Sequence, residues 1–192
     1  MVALHASTSE RWLEAVLDDF DTFLLDHAAC ERKASANAVS LVTHYHDRKQ
    51  LVGAMIELAR EELEHFQQVY QIIAKRGLIL TADRRDPYVR KLRAQVRTGR
   101  AEYFLDRLLI AGIAEARGCE RFGLIAGAQE NAGLEIASFY RALSRSEARH
   151  CDVFVDLARA YYDAPSVSTR LEELLEHESR ILCELPIAPA LH

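Results

Sequence analysis

Apolar residues recur at steps of three and four along most of this chain, and polar punctuation cuts the pattern into helix-sized pieces. Ser9 and Glu10, followed by Trp12, Leu13, Val16 and Leu17, predict a short leading helix. A run without Gly or Pro from about 19 to 45 predicts a long one. The polar HDRK then turns the chain into a second, over about 48–76, which Gly77 closes. Residues 78–99 read as a connection with its own short helix, opened by Asp86-Pro87 and closed by Thr98-Gly99. Long helices are expected over about 100–127 and 133–162, with GAQENAG as the turn between them. Asp163-Ala-Pro165 should break the fourth long helix before a last amphipathic one, about 168–184, and a Pro-containing tail. Two long hairpins joined by a long connection predict an all-α, ferritin-like four-helix bundle with a long crossover and additional short helices, in a single domain over 1–192.

Composition supports that plan and narrows the setting. With 192 residues, 49% of them hydrophobic, and only 8 Gly and 4 Pro, the chain can bury one substantial helical core. No apolar run reaches the roughly 18 residues that a membrane span needs, and MVALHASTSERW lacks the layout of a signal peptide. A cytoplasmic protein is expected. Cys30, Cys119, Cys151 and Cys183 form no CxxC pair, so reduced thiols are expected rather than a zinc ribbon or a disulfide framework.

The helical pattern is interrupted at four places by residues that belong on a wet surface. Glu62 and His65 lie in the stripe Met55, Leu58, Ala59, Phe66, Val69 and Ile73, while Glu61, Glu64 and Gln67 fall on the opposite face. Glu147 and His150 interrupt Tyr140, Leu143, Cys151, Phe154 and Ala158 in the same way. Glu31 is central to Phe20, Leu24, His27, Ala34, Ala38 and Val42, and Glu115 to Leu108, Ala111, Gly112, Cys119 and Phe122. A carboxylate buried without compensation costs several kcal/mol, so each needs a cation or hydrogen bonds. One ExxH pair is near what composition produces by chance. Two of them, each preceded by a glutamate 31 or 32 residues earlier, make a repeat, E…ExxH, with the separation of a long hairpin.

Four carboxylates and two imidazoles are the donor set for two octahedral ions, and oxygen-rich ligation favours Fe or Mn over Zn. Glu120 is the alternative to Glu115 but stands only 27 residues before Glu147, out of register. His27, one turn before Glu31, is either a support for that glutamate or a satisfied core histidine. Small residues at Ala34, Ala111 and Gly112 are expected to leave room for a ligand.

Charge is unevenly spread. Residues 84–100 hold Arg84, Arg85, Arg90, Lys91, Arg93, Arg97 and Arg100 against Asp86, a local +6 in a chain of net charge −5. A basic crossover on an acidic protein suits a polyanion, although a solvated, salt-bridged helix would look the same. Tyr88 offers a possible stacking surface there.

The ExxH pairs, the arginine-rich crossover and the strings EARGCERF and RSEARH resemble the MiaE family of tRNA hydroxylases along nearly the whole chain. The resemblance implies a di-iron monooxygenase that hydroxylates the isopentenyl group of 2-methylthio-isopentenyl-adenosine next to the anticodon. It places the iron ligands on Glu31, Glu62, His65, Glu115, Glu147 and His150, with no catalytic residues beyond them. It also implies dioxygen as co-substrate, an external electron donor with its reductase, a prenylated tRNA as partner, and a monomer or small oligomer. The competing expectation is a ferritin- or rubrerythrin-like ferroxidase or iron-handling protein. Iron storage gives no reason for the basic crossover, and the missing CxxC module counts against rubrerythrin.

Overall fold

The computed structural model describes residues 2–83, 85–130 and 135–192. Among these, the chain forms α1 (Glu10–Asp18), α2 (Phe20–His44), α3 (Lys49–Lys75), α4 (Pro87–Arg93), α5 (Arg100–Glu130), α6 (Glu135–Tyr161) and α7 (Ala164–Glu184), with no strand. Local chemistry explains most of the boundaries. Asp19 caps α2 by accepting from Thr22 N, and Asp86 caps α4 by accepting from Val89 N. Gly77 closes α3 with φ 73°, while its N–H donates to Ala74 O and that of Leu78 donates to Ile73 O.

Two boundaries differ from the pattern-based expectation. Helix α7 begins at Ala164 rather than near 168, because Asp163 is its N-cap, accepting from Ser166 N, and Pro165 sits in the first turn, where no N–H is needed. Helix α5 continues through Gly127, which keeps a right-handed backbone, to Glu130. The rest of the expected GAQENAG turn, and the expected start of the fourth helix at 133, lie outside the described residues. All four cysteines are free thiols.

The chain divides into two compact units. One is the α2–α3 hairpin with Ala188–Leu191. Phe23, Leu24, Ala28, Ala38 and Leu41 of α2 and Leu51, Met55, Leu58, Val69 and Ile73 of α3 are buried in it. The other is the α5–α6 hairpin, with α4, α7 and the N-terminal segment packed around it. Gly112 lets α5 approach α6 closely: a Cβ there would meet Phe154 Cβ at 3.3 Å, whereas one on Gly118 would make ordinary contact with Glu147 Cγ at 3.8 Å. Gly112, expected to leave room for a ligand, instead has α6 packed against it.

Buried ion networks fasten the outer helices to α5. Arg117 is wholly buried; its Nε and Nη2 donate to Glu178 Oε1 of α7, Nη2 to Ala6 O, and Nη1 to Thr8 Oγ1 and Glu120 Oε2. Tyr88 of α4 donates its hydroxyl to the same Glu178 oxygen at 2.8 Å. Arg121 stacks over Trp12 at 4.6 Å. A second knot forms at Asp106, which accepts from Arg97 and Arg170; despite burial, those bonds hold its carboxyl below the usual carboxylate range.

Removing one partner of a buried pair leaves the other uncompensated, which costs about 3–5 kcal/mol. Glu178→Leu is therefore expected to destabilise the protein by about that amount in denaturant unfolding. Adding Arg117→Met should recover part of the loss, because the stranded guanidinium goes with it.

Candidate metal centre

Each hairpin carries its ExxH pair on a buried face. On α3, Glu62 and His65 are 1% and 8% exposed, and on α6, Glu147 and His150 are each 3% exposed. A spacing of three on a helix turns the two side chains of each pair the same way. The surrounding Leu58, Val69, Leu143 and Phe154 are core residues.

In the first hairpin three donors converge. His65 Nδ1 lies 3.5 Å from Glu62 Oε2 and 3.6 Å from Glu31 Oε2, with Glu31 contributed by α2. In the second, His150 Nδ1 lies 3.3 Å from Glu147 Oε2. These separations exceed the 2.7–2.9 Å of a charge-assisted hydrogen bond. They approach the roughly 3 Å that separates two neighbouring ligands on one ion with bonds of about 2.1 Å. The contact between His27 Nε2 and Glu31 Oε1 differs from these; at 2.6 Å it is a hydrogen bond.

Electrostatics within the first cluster are coupled. Burial alone would raise the Glu31 carboxyl, but the His27 hydrogen bond and the neighbouring His65 imidazole outweigh it and hold the group far below the usual carboxylate range. Burial alone would lower His65, but the neighbouring Glu31 and Glu62 carboxylates lift its imidazole to about 9.

Glu115 and Glu120 take different surroundings on α5. Gly112 and Gly118 both touch α6, and Glu115 stands three residues from each, so it shares the strip that faces that helix. It is half-buried. Glu120 instead accepts from Thr8 N at 3.0 Å, from Thr8 Oγ1 at 2.6 Å and from Arg117 Nη1. Its carboxylate is engaged with the N-terminal segment, away from the ExxH face. Tyr140 is an aromatic core residue, with ring centroids 5.5 Å from Phe122 and 5.1 Å from Phe139.

The basic crossover separates into fixed and exposed charges. Arg97 is bound to Asp106, and Lys91 to Glu184 at 2.7 Å. Tyr88, expected as a stacking surface, is wholly buried and stacks on His192 at 5.2 Å. Arg85, Arg90, Arg93 and Arg100 are exposed and make no side-chain hydrogen bond or ion pair among the described residues. Arg84 lies outside the described residues. No feature of sequence reading flagged Arg117 or Asp106; a charged residue facing inward on α5 was the available signal.

Comparison with known proteins decides the family. The family description tRNA-(MS2IO6A)-hydroxylase (MiaE) matches residues 1–192. The chain belongs to the MiaE family. Among its MiaE relatives, the tRNA 2-(methylsulfanyl)-N(6)-isopentenyladenosine(37) hydroxylase of Pseudomonas putida is 35% identical, over 93% of this chain and 86% of its own length. That of Salmonella typhimurium is 26% identical, over 93% of this chain and 83% of its own. A solved structure, a protein with aldehyde deformylating oxygenase activity from Synechococcus, superposes with TM-score 0.91 at 36% identity, covering 98% of this chain and 93% of that one. The fold is the ferritin-like helical bundle. In donor type, the buried pair Glu62 and His65 on α3 and the buried pair Glu147 and His150 on α6 each suit iron.

Metal binding through His65 Nδ1 must displace a proton below about pH 9. Apparent metal affinity should therefore rise up to about tenfold per pH unit for that proton and level off above about 9. The metal-free protein should show the opposite trend. His65 is raised above its ordinary value of 6.5, so its contribution to stability is complete below 6.5 and is lost as pH climbs through about 9. Competition titrations and thermal unfolding across pH 6–10 check both.

Proposed function

We propose that this protein hydroxylates the isopentenyl group of 2-methylthio-isopentenyl-adenosine in tRNA. Two irons would be held by Glu31, Glu62 and His65 of the first hairpin and Glu115, Glu147 and His150 of the second. The observation that carries the reading is the repeated E…ExxH, with Glu31 and both ExxH pairs buried, within a family match over residues 1–192. Bound iron supplies dioxygen activation and the oxidising power that an unactivated methyl group requires. The chain's residues do the remaining work. Burial of the donors in apolar helix faces excludes bulk water, and the carboxylates balance the cations. Electrons come from an external donor and its reductase.

On the crossover, Arg85, Arg90, Arg93 and Arg100 are available to phosphates; Arg84 precedes them in sequence. Arg97 and Lys91 belong to it in sequence, but their charges are already matched by Asp106 and Glu184. Phosphate contacts position RNA and contribute affinity without reading bases. A tRNA substrate puts the protein in the cytoplasm; among the described residues, no helix is long and apolar enough to cross a membrane.

The Synechococcus relative favours a second reading, oxygenation of an aldehyde by the same centre. Iron-loaded protein with reductant and oxygen, offered prenylated tRNA or a long-chain aldehyde, separates the two. The expected result is a digested nucleoside that has gained one oxygen; aldehyde consumption with unchanged tRNA would replace the proposal. A large multi-subunit shell on size measurement would instead favour iron storage. Arg90→Glu with Arg93→Glu should weaken tRNA binding at least tenfold and reduce the salt slope by about two, whereas Lys91→Ala should change it little.

A further inference from the structure

The two hairpins repeat the same ligand letters but differ one turn before the first glutamate. His27 precedes Glu31 by four residues, and Ala111 precedes Glu115 by four. His27 is wholly buried, its ring packed 5.7 Å from that of Phe23, and its Nε2 donates to Glu31 Oε1 at 2.6 Å. Glu31's other oxygen, Oε2, is the one turned towards His65 Nδ1, at 3.6 Å. One carboxylate thus has its two oxygens assigned to different neighbours.

Building on the di-iron reading above, we propose that His27 is a positioning residue that holds Glu31 by Oε1 and makes it a one-oxygen metal ligand through Oε2. For Glu31 to bind through both oxygens, Oε1 would have to leave the imidazole N–H. In a buried site that breaks a short hydrogen bond to a charged group and strands its donor, a loss that water cannot offset. The ring is wholly buried and packed against Phe23, which limits how far it can follow the carboxylate. At the matching position of the second hairpin, Ala111 has nothing to donate. The repeat is therefore symmetric in its ligands and asymmetric in their restraint. Glu31 is the fixed carboxylate, and any change between one- and two-oxygen binding falls to the other glutamates.

Cobalt(II) is a suitable probe, since its visible absorption weakens as coordination number rises. Metal-free wild type, His27→Leu and His27→Gln are titrated with cobalt(II) alone. Leucine keeps the volume of the site and removes the donor; glutamine restores an N–H at similar reach. Wild type should take up two ions. His27→Leu should bind one of them at least tenfold more weakly, the usual scale for losing an outer-shell partner, and with reduced absorption as Glu31 becomes a two-oxygen ligand. His27→Gln should return both properties towards wild type. Identical isotherms and spectra for all three proteins would overturn the inference while leaving the di-iron reading intact. Equal weakening in both variants assigns His27 to packing and overturns it too. Wild type that takes up no metal sinks the di-iron reading itself. If His27→Leu does not fold, nitrogen-15 NMR of zinc-loaded wild type decides: a proton retained on His27 Nε2 supports the proposal, and a metal-bound or unprotonated Nε2 overturns it.

Discussion

A carboxylate set where a helix calls for leucine is the constraint around which this chain is organised. Glu31, Glu62 and Glu147 are each at most 3% exposed. Burying such groups is unfavourable unless positive charge or donors reach them. Two imidazoles stand three residues after Glu62 and Glu147, and a third donates to Glu31. The resulting clusters are poised to exchange protons for cations. The stability of each hairpin therefore depends on the same side chains that make its donor cluster.

Away from that face, the protein handles buried charge differently. Arg117 with Glu178, and Asp106 with Arg97 and Arg170, are closed networks whose members compensate one another directly. They tie α4, α7 and the N-terminal segment to α5, so the helix bearing Glu115 is held from outside. Glu120 belongs to this outer system through Thr8 and Arg117. Two glutamates five residues apart on one helix thus have unlike surroundings, because successive positions turn by 100° and face different neighbours.

The long helices and the inward faces of both ExxH pairs were legible because helical periodicity is strong over 25 or more residues. Spacing set Glu120 out of register with Glu147, but its engagement with Thr8 and Arg117 was not legible. What escaped were long-range ion pairs. Arg117 meets Glu178 across 61 positions, and Arg97 and Arg170 meet at Asp106; nothing local in the sequence announces such partners. For the same reason the crossover looked more uniformly basic than it is, and Tyr88 looked exposed. The start of α7 differs from the pattern-based expectation because a proline two residues after a cap opens a helix rather than ending one.

Helix α4 has a further consequence. One side is immobilised by buried Tyr88 and Leu92, while Arg90 and Arg93 project from the other. Their backbone is already ordered, so a polyanion that settles on them need not freeze a floppy loop. Cations left unneutralised on a chain of net charge −5 would also steer such a polyanion at low ionic strength, raising its encounter rate before contact. A seven-residue helix would then act less as a connector than as an antenna.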